Sequence, residues 1–121
     1  MTFRISVTSE GIVEVEFFGA TTFSDRAAAL DALGEAGELP KPLRLLVNFL
    51  GAELRSQDDA GRLDFIAKAI THPILENSRA ALVGVSHADA HPSETAGVIR
   101  LIKVRSFEAR DQAMRWLLGE V

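Results

Sequence analysis

Three residues with metal-ligating side chains lie close together in segment 87–91, His-Ala-Asp-Ala-His. On a helix, the four-residue spacing of the two histidines would place both imidazoles on one face. Pro92 follows directly and no helix signal precedes the segment, so we predict a solvated loop. Only two histidines and one carboxylate are available, and no second group that would orient them can be identified. The sequence therefore predicts no metal site and no cofactor.

Patterns typical of enzyme active sites are missing from the sequence. It contains no G-x-S-x-G nucleophile elbow, no G-x-G-x-x-G fingerprint and no P-loop. The lack of cysteine also excludes a thiol nucleophile, thiolate metal sites and disulfide bonds. Asp58 and Asp59 are neighbours in sequence, so on a helix they point to different faces and form no carboxylate pair. We therefore expect no catalytic residues and a protein that is not an enzyme.

Asn48 is a polar residue inside a predicted central strand, Leu43–Leu50, whose other residues are nearly all apolar. Buried polar side chains are hydrogen-bonded as a rule, so we expect Asn48 to bond neighbouring backbone near the C-terminal end of the strand. Sheets of the α/β class place their binding sites at this edge. Asn48 is therefore a candidate interaction or ligand-binding residue.

The elements that must position these residues alternate between strands and helices. The predicted strands are 3–8, 12–18, 43–50, 79–86 and 103–107, and the helices begin at Thr22 or Ser24, at Ser56, at Ser93 and near Ala109. Leu63 in the second helix and Ile99 in the third belong to stripes that we expect to be buried. The order ββαβαβαβα predicts an α/β domain with a mixed sheet covered by about four helices.

Composition and charge limit the class of protein. Of 121 residues, 47% are apolar and 25% are charged, which predicts one globular domain over residues 1–121. The formal net charge is −4, so we expect no nucleic acid partner. No apolar run approaches the roughly eighteen residues of a membrane span, and the first residues lack the apolar core of a signal peptide. A cytoplasmic location is therefore expected.

Four sequence segments, taken in their order, resemble the STAS or SpoIIAA-like family. They are "VEVEFFG" at 13–19, "LRLLVNF" at 43–49, "RAALVGV" at 79–85 and "SFEARDQAMRWLL" at 106–118. The resemblance covers nearly the whole chain and implies a single SpoIIAA-like domain. The SpoIIAA-like family is in turn similar to the CRAL-TRIO lipid-binding fold. That similarity implies a hydrophobic ligand pocket between the sheet and the helices.

The anti-anti-sigma factors of this superfamily carry Asp-Ser-Ser-Gly at the start of the second helix, and the first serine is phosphorylated. A phosphate at that place would face free backbone N–H groups and the positive end of the helix dipole. Residues 55–60 read Arg-Ser-Gln-Asp-Asp-Ala, so Gln57 falls at the acceptor position and Ser56 lies one place early. We therefore expect Ser56 to be a plain N-cap and not a phosphorylation site.

The resemblance implies a non-enzymatic cytoplasmic regulatory domain that interacts with a protein partner. We expect the interaction surface at the start of the second helix and in the loop before it, Gly51–Asp59. The candidate interaction or ligand-binding residues are Asn48, Gly51, Arg55, Ser56, Gln57, Asp58 and Asp59. The alternative is a carrier or sensor of a small apolar, lipid-like molecule in a CRAL-TRIO-like cavity. We also predict a homodimer, with Phe18 and Phe23 as candidate contacts and Phe23 favoured as a core residue.

Overall fold

The computed structural model describes residues 2–55 and 59–119, and its elements follow the predicted order. The strands are β1 (Phe3–Val7), β2 (Val13–Thr22), β3 (Arg44–Arg55), β4 (Arg79–Val83) and β5 (Lys103–Phe107). The helices are α1 (Phe23–Glu35), α2 (Asp59–Thr71), α3 (His87–Arg100) and α4 (Arg110–Leu117), with a short 3-10 turn at Pro73–Leu75. The predicted mixed α/β fold class is confirmed.

The five strands form one sheet in the order β1-β2-β3-β4-β5. The first pair is an antiparallel hairpin, and the remaining pairs are parallel. Gly11 adopts a φ of +82° in the hairpin turn, a conformation that glycine takes without steric strain. Each parallel pair needs a crossover, and α1, α2 and α3 supply these connections. The β-β-α beginning of the sequence therefore leads directly to a mixed sheet.

The helices divide between the two faces of the sheet. On the first face, α1, α2 and α3 bury the larger core against alternate residues of the strands. There Phe17 of β2 stacks on Phe49 of β3 with ring centroids 5.0 Å apart. On the second face, α4 packs Ala113, Trp116 and Leu117 against a smaller apolar cluster. Both faces of the central strands are covered, which explains the nearly continuous apolar sequence of β3.

The boundaries of α1 and α2 follow from local signals. Thr22, not Ser24, is the N-cap of α1, because its hydroxyl accepts the backbone N–H of Asp25 and the Asp25 carboxylate accepts the backbone N–H of Thr22. Helix α2 ends at Thr71, directly before His72 and Pro73. This end agrees with the prediction, since the residue before a proline avoids helical angles.

Strands β2 and β3 both run farther than the sequence predicts. Residues Phe18–Thr22 of β2 pair with Gly51–Arg55 of β3, so the ladder continues past both glycines. The prediction that Gly51 and Arg55 lie in a loop is therefore wrong, because the two segments supply each other's backbone hydrogen bonds. Ser56, Gln57 and Asp58, and with them the predicted N-cap of α2, lie outside the described residues.

The start of α3 differs from the prediction. Residues 87–91 are helical and do not form a loop, because Ser86 caps the helix by accepting the backbone N–H of Asp89 at 3.3 Å. Strand β4 ends earlier, at Val83, where Gly84 adopts a φ of +80° against Leu50. Ile99 of α3 and Leu63 of α2, both expected to be buried, are 57% and 70% exposed.

Candidate functional site

The carboxyl edge of the sheet carries a two-stranded extension. We call Phe18–Thr22 of β2 together with Gly51–Arg55 of β3 the β2–β3 extension. Strand β4 pairs with β3 only over Arg44–Asn48, so in the described part of the chain this extension has no third strand. The backbone on the β4 side of Gly51–Arg55 is therefore an open strand edge, which another chain could pair with.

A bulge marks the point where the extension leaves the sheet. Glu16 pairs with Asn48 and Phe18 pairs with Gly51, so β3 carries one more residue than β2 between these pairs. Two apolar side chains at this point reach solvent: Phe18 is 43% exposed and Leu50 is 57% exposed. Farther along, the exposed side chains of Glu53 and Arg55 form an ion pair at 2.9 Å. The extension thus combines an open strand edge, exposed apolar groups and a charged rim.

Asn48 lies beneath this extension and is 5% exposed. Its Oδ1 accepts the backbone N–H of Leu50 at 2.9 Å, which confirms the predicted bond to neighbouring backbone. Its Nδ2 donates to Glu14 Oε2 at 3.1 Å. Since Asn48 is buried and bonded at both ends of its amide, it holds the bulged backbone in position, and its role in binding stays a prediction.

Glu14 and Arg110 complete this arrangement, which we call the Glu14–Asn48–Arg110 network. Glu14 is 8% exposed, and its carboxylate accepts Arg110 Nε at 3.1 Å and Nη2 at 2.7 Å. The bonds from Arg110 lower the pKa of Glu14. Burial alone would raise this pKa, and it offsets the effect of Arg110 only in part. The alternation of Val and Glu in "VEVE" predicts that Glu14 is exposed. The sequence signal for its burial is the closing helix that begins at Arg110, because that helix covers the second face of the sheet.

An apolar cavity of about 70 Å³ lies between the sheet and α1, α2 and α3. It is lined by Val15, Phe17, Arg26, Ala29, Leu30, Leu33, Leu45, Val47, Phe65, Ala69, Leu75, Ala80, Leu82, Ser93, Ala96, Gly97, Ile102 and Val104. Among these residues Arg26 is the one charged side chain, and it is only 5% exposed. The cavity therefore combines apolar walls with a single cation.

Arg26 is held between aromatic rings and α3. Its guanidinium lies 4.6, 4.9 and 4.7 Å from the ring centroids of Phe23, Phe49 and Phe65, a cation–π arrangement. It donates to the backbone oxygen of Asp89 at 3.0 Å and to Ser93 Oγ at 2.9 Å. Burial lowers the pKa of Arg26 to about 10, so it stays charged at neutral pH. Sequence reasoning missed it because only apolar residues were placed on the inner face of α1.

The histidine segment does not gather metal ligands. His87 and His91 are exposed on α3, and Asp89 is engaged with Ser86 in the helix cap. Within residues 2–55 and 59–119, no group of three or more His, Cys, Asp or Glu side chains could hold a metal ion. None of the helices within these residues has the length and apolar character that a membrane span requires.

Comparison with known proteins identifies the fold. No family model matches the sequence, and no curated protein matches it. Three of the solved structures that match this chain are each similar to it along almost its whole length. An uncharacterised DUF3478 protein with a SpoIIAA-like fold from Shewanella loihica PV-4 has 18% identity and a TM-score of 0.58, covering 95% of this chain and 91% of that chain.

The second is an anti-sigma-factor antagonist (STAS) domain protein from Planctomyces limnophilus, with 15% identity, a TM-score of 0.58 and coverage of 96% and 97%. The third is the anti-sigma factor antagonist SpoIIAA in its unphosphorylated form, with 13% identity, a TM-score of 0.55 and coverage of 97% and 98%. At these identities the likeness is one of fold. The hairpin, the three parallel crossovers and the closing helix of this chain form the SpoIIAA-like, or STAS, fold.

Proposed function

We propose that this protein is a non-enzymatic, cytoplasmic regulatory domain that binds a partner protein through the β2–β3 extension and the start of α2. The observation that carries the proposal is the open edge of Gly51–Arg55, with Phe18 and Leu50 exposed at its base. Two of the similar structures are anti-sigma-factor antagonists, a class named for action on other proteins. Their fold supports a protein partner for this chain.

The physical character of this surface favours a protein over a small molecule. An open strand edge offers a row of backbone donors and acceptors that an extended peptide segment can pair with. Exposed aromatic and aliphatic side chains supply the apolar contacts that dominate binding energy at interfaces, and a charged rim such as Glu53 and Arg55 surrounds them. Ser56, Gln57, Asp58 and Asp59 follow directly in sequence and would extend the same surface.

Regulation by phosphorylation is not part of the proposal. The Ser-Ser-Gly pattern is absent, and Ser56 stands one place before the position of the phosphorylated serine. We propose that Ser56 acts as an N-cap and that partner binding does not depend on its modification. Intact mass after incubation with cell extract is expected to show no stoichiometric phosphate, and one phosphate mapped to Ser56 would overturn this part.

The interaction surface can be tested with a photo-crosslinking amino acid placed at single positions in cells. Positions 18 and 50 at the base of the extension are compared with position 98, because Val98 is also apolar and is 74% exposed near the end of α3. We expect the first two positions to crosslink to the same protein and position 98 not to do so. The partner is then purified, and its affinity for the wild type is compared with that for Phe18→Asp.

A loss of affinity of about tenfold or more in Phe18→Asp is expected, because a carboxylate replaces an apolar contact at the interface. Val98→Asp serves as the matched control and should bind within about twofold of the wild type. Crosslinks that are equally frequent at all three positions, or equal affinities of both variants, would contradict the proposed surface.

A second candidate function is a carrier or sensor of a small apolar ligand, and the cavity beside Arg26 is the observation that favours it. Its walls are almost entirely apolar, and the guanidinium of Arg26 would match an acidic group on the ligand. At about 70 Å³ it is roughly half the size of an apolar cavity of about 150 Å³ that takes up benzene, so a lipid-like ligand requires that α1 and α3 move apart.

Native mass spectrometry distinguishes the two functions. A carrier is expected to retain a co-purified small molecule, and the mass difference would identify its class. A Leu30→Trp variant, which fills the cavity from α1, should then lose that molecule. A clean mass of the free chain would contradict the carrier and leave the protein-binding proposal in place.

A further inference from the structure

A second concave surface lies at the edge of the sheet opposite to the β2–β3 extension. Strands β3, β4 and β5 begin here, and α4 ends here. The groove encloses about 460 Å³, and its lining includes Arg44, Ser78, Arg79, Leu101 and Lys103. This volume is large enough for a small organic molecule. We call this surface the basal groove.

Three cations lie side by side in the basal groove. Arg44 pairs with Arg79 in the β3–β4 register, and Arg79 pairs with Lys103 in the β4–β5 register. Each is the first residue of its strand, so their Cα atoms are separated by about one strand spacing, roughly 4.8 Å. Like charges at directly opposite positions on neighbouring strands are destabilising. The register therefore concentrates positive charge at this edge, and the mutual repulsion of the three cations opposes folding.

Carboxylates do not neutralise this charge within the described part of the chain. Arg79 donates to the backbone oxygen of Trp116 at 2.9 Å and lies 4.9 Å from the Trp116 ring centroid. Neither Arg44 nor Lys103 forms an ion pair with any of the residues 2–55 and 59–119. None of the described residues that line the groove is acidic. Among the described residues, therefore, two of the three cations have no carboxylate partner.

Ser78 supplies an independent indication of a ligand. It lines the groove, is only 6% exposed, and its hydroxyl oxygen has no hydrogen-bond partner in the described part of the chain. A buried hydroxyl without a partner is unfavourable, and native proteins rarely retain one without a reason. Asn77, which precedes it, holds a left-handed φ of +58° at the rim. The backbone is thus turned so that Ser78 and Arg79 line the same groove.

We propose that the basal groove binds the phosphate group of a small molecule. Arg44, Arg79 and Lys103 supply charge that matches a doubly negative oxyanion, and the Ser78 hydroxyl donates a hydrogen bond to one of its oxygens. Arg79 uses one N–H on Trp116, and its remaining N–H groups can form a fork to the phosphate. Since the groove is larger than a phosphate ion, the exposed Leu101 at its rim would contact the organic part of the ligand.

This proposal is independent of the partner-binding surface, because the two lie at opposite edges of the sheet. The test uses the full chain and follows backbone amide signals by NMR while inorganic phosphate, and then glycerol 3-phosphate, is added at constant ionic strength. Saturable shifts of Ser78, Arg79 and Lys103 amides are expected. Glycerol 3-phosphate should bind more tightly than inorganic phosphate. Shifts that do not saturate would overturn the proposal.

Variants separate a specific site from a general charge effect. Arg44→Gln/Lys103→Gln should weaken the binding of glycerol 3-phosphate by about tenfold or more, since the variant loses two charge-assisted bonds to the phosphate. Ser78→Ala should weaken it several-fold. The matched control is Arg55→Gln/Arg62→Gln, in which Arg62 is an exposed residue near the start of α2. It removes the same charge at the other edge and should leave affinity within about twofold, because salt screens distant charges. Equal losses in both double variants would overturn the proposal.

Two further measurements test whether the cations stabilise the fold and which kind of phosphate compound binds. Without ligand, Arg44→Gln/Lys103→Gln should melt at the same or a higher temperature than the wild type, because it relieves repulsion between the cations. A lower melting temperature would mean that these cations are structural, and would overturn the proposal.

Sedimentation with phosphatidylcholine vesicles, with and without phosphatidic acid, identifies the source of the phosphate. Binding only to vesicles with phosphatidic acid supports a lipid headgroup, and binding only to free glycerol 3-phosphate supports a soluble metabolite. Binding to neither overturns the proposal.

Discussion

Glu14 shows how one buried charge can hold two elements together. Its carboxylate lies on the second face of the sheet, bonded by Asn48 from β3 and by the Arg110 fork from the first residue of α4. A carboxylate near the N-terminal end of a helix is also favoured by the helix dipole. The network therefore fixes the start of α4 over the bulge at which the β2–β3 extension begins.

The lowered pKa of Glu14 predicts how stability depends on pH. The folded-state pKa of Glu14 lies below the ordinary value of 4.5, so as the pH falls the unfolded chain binds this proton first. The contribution of Glu14 is therefore complete above about pH 4.5 and is lost as the pH falls through the lower folded-state pKa. We expect Glu14→Gln to reduce the free energy of unfolding by about 1–2 kcal/mol at neutral pH. Urea titrations at several pH values measure this.

The same titrations contain the control. Because the Gln side chain does not ionise, Glu14→Gln should lose less stability than the wild type on acidification, and the two should converge at low pH. Adding Arg110→Gln to Glu14→Gln should cost little more than either change alone, which indicates a direct coupling. Parallel pH profiles for the two proteins would contradict the role of Glu14.

Arg26 is a buried cation with no side-chain carboxylate bonded to it in the described residues. Burial disfavours its charged form, as the lowered pKa of about 10 shows. The buried charge of Arg26 therefore opposes folding below that pH, and the opposition decreases as the pH rises from about 10 towards the higher pKa of an arginine in the unfolded chain. Its bonds to Asp89 and Ser93 and its contacts with three phenylalanines offset this.

Two substitutions separate the charge of Arg26 from its packing. Both substitutions remove the guanidinium donors, but Arg26→Ala also enlarges the cavity and loses the contacts with the phenylalanine rings, so it should reduce the free energy of unfolding by about 3 kcal/mol. Arg26→Met keeps most of the apolar contact and removes the buried charge, so its loss should be within about 1 kcal/mol. Chemical denaturation compares them. Equal losses would show that the guanidinium bonds, rather than its stem, hold α1 to α3.

At the scale of elements, α4 is the only described helix on the second face, and Trp116 is its main contact. Trp116 is 8% exposed, as the spacing of its helix predicts, and it packs between Phe107, with ring centroids 5.6 Å apart, and the guanidinium of Arg79. Trp116→Ala should reduce the free energy of unfolding by about 3–5 kcal/mol.

Fluorescence reports the same placement, because the chain has a single tryptophan. The folded protein should emit at the short wavelengths of a buried indole, and emission should shift to longer wavelengths on unfolding. Arg115→Ala, an exposed change on the same helix, should alter stability by no more than about 0.5 kcal/mol. A fully water-exposed emission spectrum in the folded state would contradict the packing.

Helix α3 approaches β5 so closely that a side chain at Gly97 has no room. A Cβ at Gly97 would lie 2.6 Å from Val104 Cγ2. Although alanine favours helices more than glycine does, Gly97→Ala should reduce the free energy of unfolding by about 1–3 kcal/mol through overpacking. Thermal denaturation measures the loss. The double variant Gly97→Ala/Val104→Ala should be less destabilised than the sum of the two single changes, and simple additivity would contradict the steric cause.

At the scale of the whole molecule, the homodimer stays a prediction, and the structure changes which residue could support it. Phe23 is 4% exposed and belongs to the core, whereas Phe18 is 43% exposed at the base of the β2–β3 extension. A symmetric contact through Phe18 would bury this side chain twice. We expect sedimentation equilibrium to show a dimer of the 13.1 kDa chain, and Phe18→Asp to shift it towards monomer. A single 13.1 kDa species at high micromolar concentration would contradict the prediction.

The two edges of the molecule differ in chemistry, and this difference organises both functional proposals. The carboxyl edge presents backbone, apolar groups and a balanced pair of charges, which suits a polypeptide partner. The opposite edge presents three cations in register, which suits a compact anion. Occupation of the basal groove need not affect the β2–β3 extension, because the two surfaces share no residue.

Local patterns determined much of this fold from the sequence alone. The hairpin, the limits of β5 at Lys103 and Phe107, the end of α2 before Pro73 and the inner face of α4 all depend on periodicity, turn residues and caps within a few positions. These signals act between near neighbours in the chain, so they can be read without knowing the tertiary structure. The order ββαβαβαβα follows from them.

Only the tertiary structure decided what depends on distant pairing. Glu14 is buried because α4, about a hundred residues later, covers the second face, and Gly51 belongs to a strand because β2 continues beside it. Arg44, Arg79 and Lys103 lie in three separate parts of the sequence and meet only through the strand register. The candidate functions depend on side chains that are distant in sequence. Strand register and the helices that cover each face bring these side chains together, and local periodicity does not reveal this.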